Sequence, residues 1–232
     1  MNHVLITRSL TESQQQLART LGLRVTEQPV LHHTPRHIPE QLAALLVHTV
    51  ADAWLFTSAN ATRAVADVVS HLPKGFAPPA IFCVGERTAA PLQALGMPCH
   101  MPAGADATQL AALVSQMGFR QPVHFCGRDR RAELRTYMTS QGLPLQEVIL
   151  YEIVAEPLLE LPKDLEALAV LSPRSVSQLP EALPPHLKLC AIGDTTLAAL
   201  QARYPAHTHL KSPQPTMEAL LHHLALYLPT HV

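Results

Sequence analysis

Short apolar runs recur along this chain at residues 4–6, 54–56, 81–84, 123–126, 148–150, 170–171 and 189–192, with polar or helix-period stretches between them. Runs of that length read as buried strands. Helical period appears over 13–21, 88–95, 108–117, 132–140, 195–202 and 217–227. The alternation predicts parallel sheets flanked by helices, an α/β fold. A length of 232 residues exceeds the ~100 to 150 usual for one domain, so two domains are expected.

An internal repeat adds detail. Ile6, Arg8, Gly22 and Leu31 have counterparts 120 positions later in Cys126, Arg128, Gly142 and Tyr151. Gly85, Thr88, Leu92 and Thr108 have theirs 108 positions later in Gly193, Thr196, Leu200 and Thr216, with Ser58 and Ser172 each ending a preceding strand. Units in the order A, B, A′, B′ suggest two similar domains, without saying which A folds with which B. Pro29, Pro35 and Pro39 interrupt the first crossing between units, and Pro157 and Pro162 the second.

Composition narrows the function classes. Apolar residues make up 47% and charged residues 15%, and no apolar run approaches the ~18 residues of a membrane span. The first apolar run stops at Thr7 and Arg8, too soon for a signal-peptide core, so a cytoplasmic protein is expected. Cys83, Cys126 and Cys190 lie in apolar runs and no C-x-x-C occurs, which points to reduced thiols. Seventeen Lys and Arg against 18 Asp and Glu leave a net charge of −1, without the basic footprint of a nucleic-acid binder. The nine glycines form no nucleotide loop or nucleophile elbow, and the 14 histidines show no zinc-site spacing.

The strongest local pattern is a strand, then small hydroxyl residues, then a helix: Phe56-Thr57-Ser58-Ala59-Asn60 and Leu171-Ser172-Pro173-Arg174-Ser175. The first N–H groups of a helix lack helical partners and its dipole is positive there, so such a turn can hold a carboxylate; equally, the hydroxyl can simply cap the helix. Val84-Gly85-Glu86-Arg87-Thr88 and Ile192-Gly193-Asp194-Thr195-Thr196 repeat the arrangement. Arg8 and Arg128 follow strands at equivalent repeat positions and can grip a carboxylate or form surface ion pairs. Tyr151 closes the run 148–150; its phenol can donate to a leaving oxygen or merely pack.

In this order, Leu5-Ile6-Thr7-Arg8, Phe56-Thr57-Ser58-Ala59-Asn60-Ala61, Val84-Gly85-Glu86-Arg87-Thr88-Ala89, Tyr151-Glu152, Leu171-Ser172-Pro173, Ala191-Ile192-Gly193-Asp194-Thr195-Thr196 and Pro215-Thr216 resemble the uroporphyrinogen-III synthases over nearly the whole chain. The resemblance implies two α/β domains joined by a two-stranded connector: residues 1–31 with 157–232, residues 37–149, and crossings at 32–36 and 150–156. It implies a lyase of haem biosynthesis that closes hydroxymethylbilane, a linear tetrapyrrole bearing acetates and propionates, in a cleft between domains. The products would be uroporphyrinogen III, with ring D inverted, and water.

The same resemblance implies no metal or organic cofactor; with the charge and composition above, no nucleic-acid or membrane partner is expected, and a monomer is expected. The resemblance assigns Thr57, Ser58, Thr88, Ser172, Thr195 and Thr196 to carboxylate or pyrrole contacts and Tyr151 to departure of the hydroxyl, with Arg8, Arg128 and Lys188 as further substrate contacts. Asp194 departs from members that carry Pro there, and an acidic group is awkward beside a polyanion. The alternative is a non-catalytic two-domain protein that binds a tetrapyrrole or a small anion.

Overall fold

A computed structural model describes residues 1–228; positions 229–232, the end of the second stretch expected in the first domain, lie outside the described residues. In chain order the elements are β1 (Asn2–Ile6), α1 (Glu12–Thr20), β2 (Leu23–Glu27), β3 (Leu31–Pro35), α2 (Pro39–His48), β4 (Ala53–Phe56), α3 (Ala59–Ala66), β5 (Ala80–Cys83), α4 (Glu86–Gln93) and β6 (Cys99–His100). There follow α5 (Ala107–Gln116), β7 (Pro122–Gly127), α6 (Glu133–Ser140), β8 (Gln146–Ala155), β9 (Ala167–Val170), α7 (Pro173–Val176), β10 (Lys188–Ala191), α8 (Asp194–Arg203), β11 (His209–Lys211) and α9 (Met217–Tyr227). No described helix is long and apolar enough to cross a membrane.

The chain forms two compact units, Met1–His32 with the described residues from Val154 onward, and His33–Ile153. The first holds a sheet in the order β11-β10-β9-β1-β2, parallel throughout. The second sheet runs β3-β8-β7-β4-β5-β6, parallel from β8 to β6. Read as β6-β5-β4-β7-β8, it repeats the strand order of the first sheet. Each sheet therefore joins a B unit to the A unit of the other repeat.

The repeat is visible in local geometry too. Gly22 and Gly142 follow α1 and α6 with φ of 72° and 66°, the left-handed conformation that ends a helix at little cost only in glycine. Gly85 and Gly193 precede α4 and α8 in extended backbone. The match slips at Thr108, because Asp106 caps α5 whereas Thr216 itself caps α9.

Parallel strands covered on both faces explain the apolar runs. In the first unit Val4 and Ile6 pack with Ala18, Leu220, Leu221 and Leu224 of α1 and α9, while Leu5 packs with Val176 and Leu200 on the other face. In the second, Trp54, Phe56 and Phe125 meet Leu46, Val65 and Leu92 of α2, α3 and α4. Leu55 and Phe82 meet Leu110, Val114, Leu134 and Met138 of α5 and α6. His124 and Cys126 alternate with Val123 and Phe125 along β7, so they lie on the α5 and α6 side.

Two features depart from the sequence expectations. Pro39 opens a helix rather than interrupting a crossing, since the first helical position has no use for its missing N–H. The strands β2, β3, β6 and β11 are partly exposed, and β6 and β11 are also short, so they carry no continuous apolar run.

Candidate active site

Strands of a parallel sheet all end at one edge, where the following helices begin. At that edge of the second unit lies a cavity of about 460 Å³. Thr57 and Ser58 after β4, Val84 after β5, His124 and Gly127 of β7, Tyr151 of β8, and Arg130 and Arg131 before α6 form its wall. Asp106, Asp129 and Glu133 also line it, so the wall carries both signs of charge. No side chain caps α6, which leaves its first N–H groups unpartnered by a cap.

Tyr151 is placed by a bulge. Cys126 pairs with Ile149 and Gly127 with Tyr151, so β8 carries one extra residue, which re-aims the side chain that follows. The Tyr151 hydroxyl lies 2.8 Å from Ser58 Oγ, and its ring meets His33 edge-on at 5.4 Å. A Cβ at Gly127 would stand 2.7 Å from the Tyr151 ring, so only glycine leaves that ring its place.

A second hydroxyl is tied into the interior. Thr57 Oγ1 is 2.9 Å from His124 Nε2, and His124 Nδ1 is 3.4 Å from Glu147 Oε1, its cross-strand neighbour on β8. Arg130 and Arg135 both donate to Glu147. These guanidiniums hold the Glu147 carboxyl down at about 2, led by the Arg130 hydrogen bond. Burial dominates at His124, which is 1% exposed and pushed down to about 4 despite the neighbouring carboxylate. Burial likewise pushes the Cys126 thiol up to about 12.

His124, Cys126 and Glu147 present ligand atoms within 4.8 Å of one another, a grouping that metal-ligand spacing in the sequence does not reveal. The two guanidiniums already supply the positive charge that a metal ion would bring to Glu147, and the thiol is held protonated. The arrangement is that of a satisfied polar network.

The hydroxyl turns divide into two kinds. Ser58 accepts the Asn60 N–H at 3.2 Å, and Ser172 accepts the Ser175 N–H at 3.1 Å, so both cap their helices. At Gly85 and Gly193 no side chain caps α4 or α8, which leaves backbone N–H groups for an anion. Thr88 and Thr196 are buried beneath those turns, while Thr195 is exposed. Asp194 brings no net charge to its turn, because Lys211 Nζ lies 2.7 Å from its carboxylate and holds that carboxyl below its usual range.

Of the basic candidates, Arg128 pairs with Glu152 at 2.9 Å, and its N–H donates to the Tyr151 carbonyl. Arg8 is exposed, and its charge is a small contributor, after the Gln14 hydrogen bond, to the lowered carboxyl of Glu218. Lys188 is not brought to the hydroxyl turns: it opens β10, at the opposite edge of the sheet, and donates to the Tyr227 carbonyl. Thr57, Ser58 and Tyr151 are brought together around one cavity. Sequence reasoning missed His124, Glu147 and Gly127, although a histidine inside the run 123–126 signals a buried polar group that needs a partner.

A family model described as uroporphyrinogen-III synthase HemD matches residues 12–222. Among solved structures, the chain is similar to the uroporphyrinogen-III synthetase of Helicobacter pylori, with a TM-score of 0.64 and 16% identity over 97% of this chain and 99% of that one. It is also similar to a mutant uroporphyrinogen III synthase from the extremely thermophilic bacterium Thermus thermophilus, with a TM-score of 0.58 and 20% identity over 97% and 99%. Among curated proteins none matches in sequence. At such identities the structural likeness speaks for the fold, and the family match carries the relationship.

Proposed function

The chain belongs to the uroporphyrinogen-III synthase family, and from that premise we propose that it acts as a lyase on hydroxymethylbilane, closing the tetrapyrrole with inversion of ring D and loss of water. This makes it an enzyme of haem biosynthesis. The observation that carries the reading is the Tyr151 hydroxyl, set in the cavity at the strand ends and paired with Ser58 at 2.8 Å.

Ser58 Oγ already accepts from Asn60, and with its own hydrogen given to the Tyr151 oxygen the phenolic hydrogen is left for a ligand. That hydrogen serves the hydroxyl leaving ring A, so that water departs and an azafulvenium cation remains as the electrophile. Ring D attacks through its substituted carbon, and the spiro intermediate fragments and recombines with ring D inverted. The proton given up as the last pyrrole regains aromaticity balances the one spent on the hydroxyl.

The substrate is a polycarboxylate, and three features suit it: the uncapped starts of α4 and α8, the exposed Arg131 side chain, and the Thr195 and Ser172 hydroxyls. Neutralisation of Asp194 by Lys211 removes the charge conflict at the α8 turn. Arg8 and Arg128 remain carboxylate contacts of second rank, since Arg128 is already paired. Action as a monomer in the cytoplasm belongs to the same proposal.

Incubating the purified chain with hydroxymethylbilane and separating the oxidised products by isomer tests the function. The type III isomer is expected in excess over the type I isomer that forms without enzyme. Type I alone, at the uncatalysed rate, would contradict it and favour a protein that only binds.

A further inference from the structure

We propose that His124 is a positioning residue that turns Thr57 into an acceptor aimed at substrate pyrrole N–H groups, an inference that rests on the function given above. Glu147 is gripped by Arg130 and Arg135, and an ionised carboxylate only accepts hydrogen bonds. His124 Nδ1 faces that carboxylate, so Nδ1 carries the ring hydrogen. Burial keeps the ring neutral, so Nε2 is bare and must itself accept. Its partner at 2.9 Å is Thr57 Oγ1, which therefore spends its single hydrogen on His124. What Thr57 turns to the cavity is a pair of lone pairs.

An oxygen in that state cannot bond an ionised acetate or propionate, which also only accepts. It selects donors. A linear tetrapyrrole offers pyrrole N–H groups and one hydroxymethyl O–H, and Tyr151 is the donor already placed for the hydroxyl. The pyrrole N–H groups remain for Thr57. No buried group fixes Ser58 in the same way: the geometry of its bond with Tyr151 admits either donor, and the function given above uses the arrangement in which Ser58 donates. Adjacent hydroxyls on one turn thus differ in polarity because only one of them is wired to a buried histidine.

The direct test is the tautomer of His124 in the wild-type protein, read from the ¹⁵N spectrum of histidine-labelled enzyme at neutral pH without substrate. Hydrogen on Nδ1 and a bare Nε2 are expected; hydrogen on Nε2, or on both nitrogens, overturns the inference. The kinetic test uses hydroxymethylbilane with Thr57→Val, Thr57→Ser, His124→Gln and the double variant Thr57→Val/His124→Gln. Thr57→Val should raise KM about three- to tenfold, the loss of one hydrogen bond, with a smaller change in kcat, and Thr57→Ser should recover most of that loss. Because His124 acts through Thr57, the double variant should bind no worse than Thr57→Val alone, whereas independent multiplying losses overturn the positioning role. Failure of the wild type to make the type III isomer would overturn the parent function instead, while the tautomer measurement would still decide this inference.

Discussion

Gly127 and Tyr151 share a space that a single methyl group would fill: a Cβ at position 127 would lie 2.7 Å from two ring carbons and 2.9 Å from the hydroxyl oxygen. Gly127→Ala must therefore tilt the Tyr151 ring off Ser58. The variant should fold with a lowered Tm and form the type III isomer more slowly than wild type. An unchanged rate with the ring visibly displaced would separate Tyr151 from the chemistry.

Ser58 has two duties, capping α3 and bonding Tyr151. Ser58→Ala should cost about 1 kcal/mol of stability, as cap removal usually does, and should slow turnover. In a Tyr151→Phe background the same change should keep its stability cost and lose its effect on rate. Denaturant unfolding and initial rates on the two single variants and the double variant check both halves.

Acid lability should follow His124. Its folded value near 4 lies below the ordinary 6.5, so the unfolded chain takes up a proton that the folded chain refuses as pH falls. The contribution is complete above the ordinary value and is lost as pH falls from there toward about 4. Glu147, held at about 2, stays ionised through most of that window, and its own contribution is lost lower, between 4.5 and about 2. Since His3, His33 and His223 are also lowered, the comparison must be with His124→Gln. Between pH 7 and pH 5, wild type should lose about 2 kcal/mol more stability than the variant. Equal losses would mean that His124 is not held neutral.

The paired helix ends offer a test of the repeat. Gly22 and Gly142 have open space around them, so alanine would meet only its own backbone at positive φ. Each Ala variant should lose about 1–2 kcal/mol, and Asn at either position less, because Asn tolerates the left-handed conformation. Similar costs for Ala and Asn would mean that backbone conformation is not what glycine supplies there.

The parts legible in the sequence are those that burial writes locally. Strands such as β4 and β7 are wholly buried and appear as apolar runs, and the hydroxyl turns at Thr57 and Ser172 stand out because helix starts select such residues. Tyr151 closes the apolar run 148–150 but not the strand: β8 continues to Ala155 through partly exposed residues. What cannot be read there depends on register. The bulge that pairs Gly127 with Tyr151, and the cross-strand meeting of His124 with Glu147, arise only once β7 and β8 are aligned. The apolar run around His124 marks it as buried, but nothing in the sequence names Glu147 or Thr57 as its partners. Lys211 reaches Asp194 from a three-residue edge strand that has no apolar run to announce it.

The most direct measurement is the rate and isomer ratio of uroporphyrinogen formed from hydroxymethylbilane by wild type and Tyr151→Phe. The variant keeps the ring that fills the space over Gly127 and loses only the phenolic O–H, so it should fold as wild type does. Positioned acid assistance is typically worth ~10² to 10⁴ in rate, and the pyrrole nitrogen already drives much of the departure, so the loss should sit at or below the lower end. Type III should fall relative to type I as enzymatic closure slows. An unchanged rate and isomer ratio would contradict the account and leave Tyr151 a packing residue.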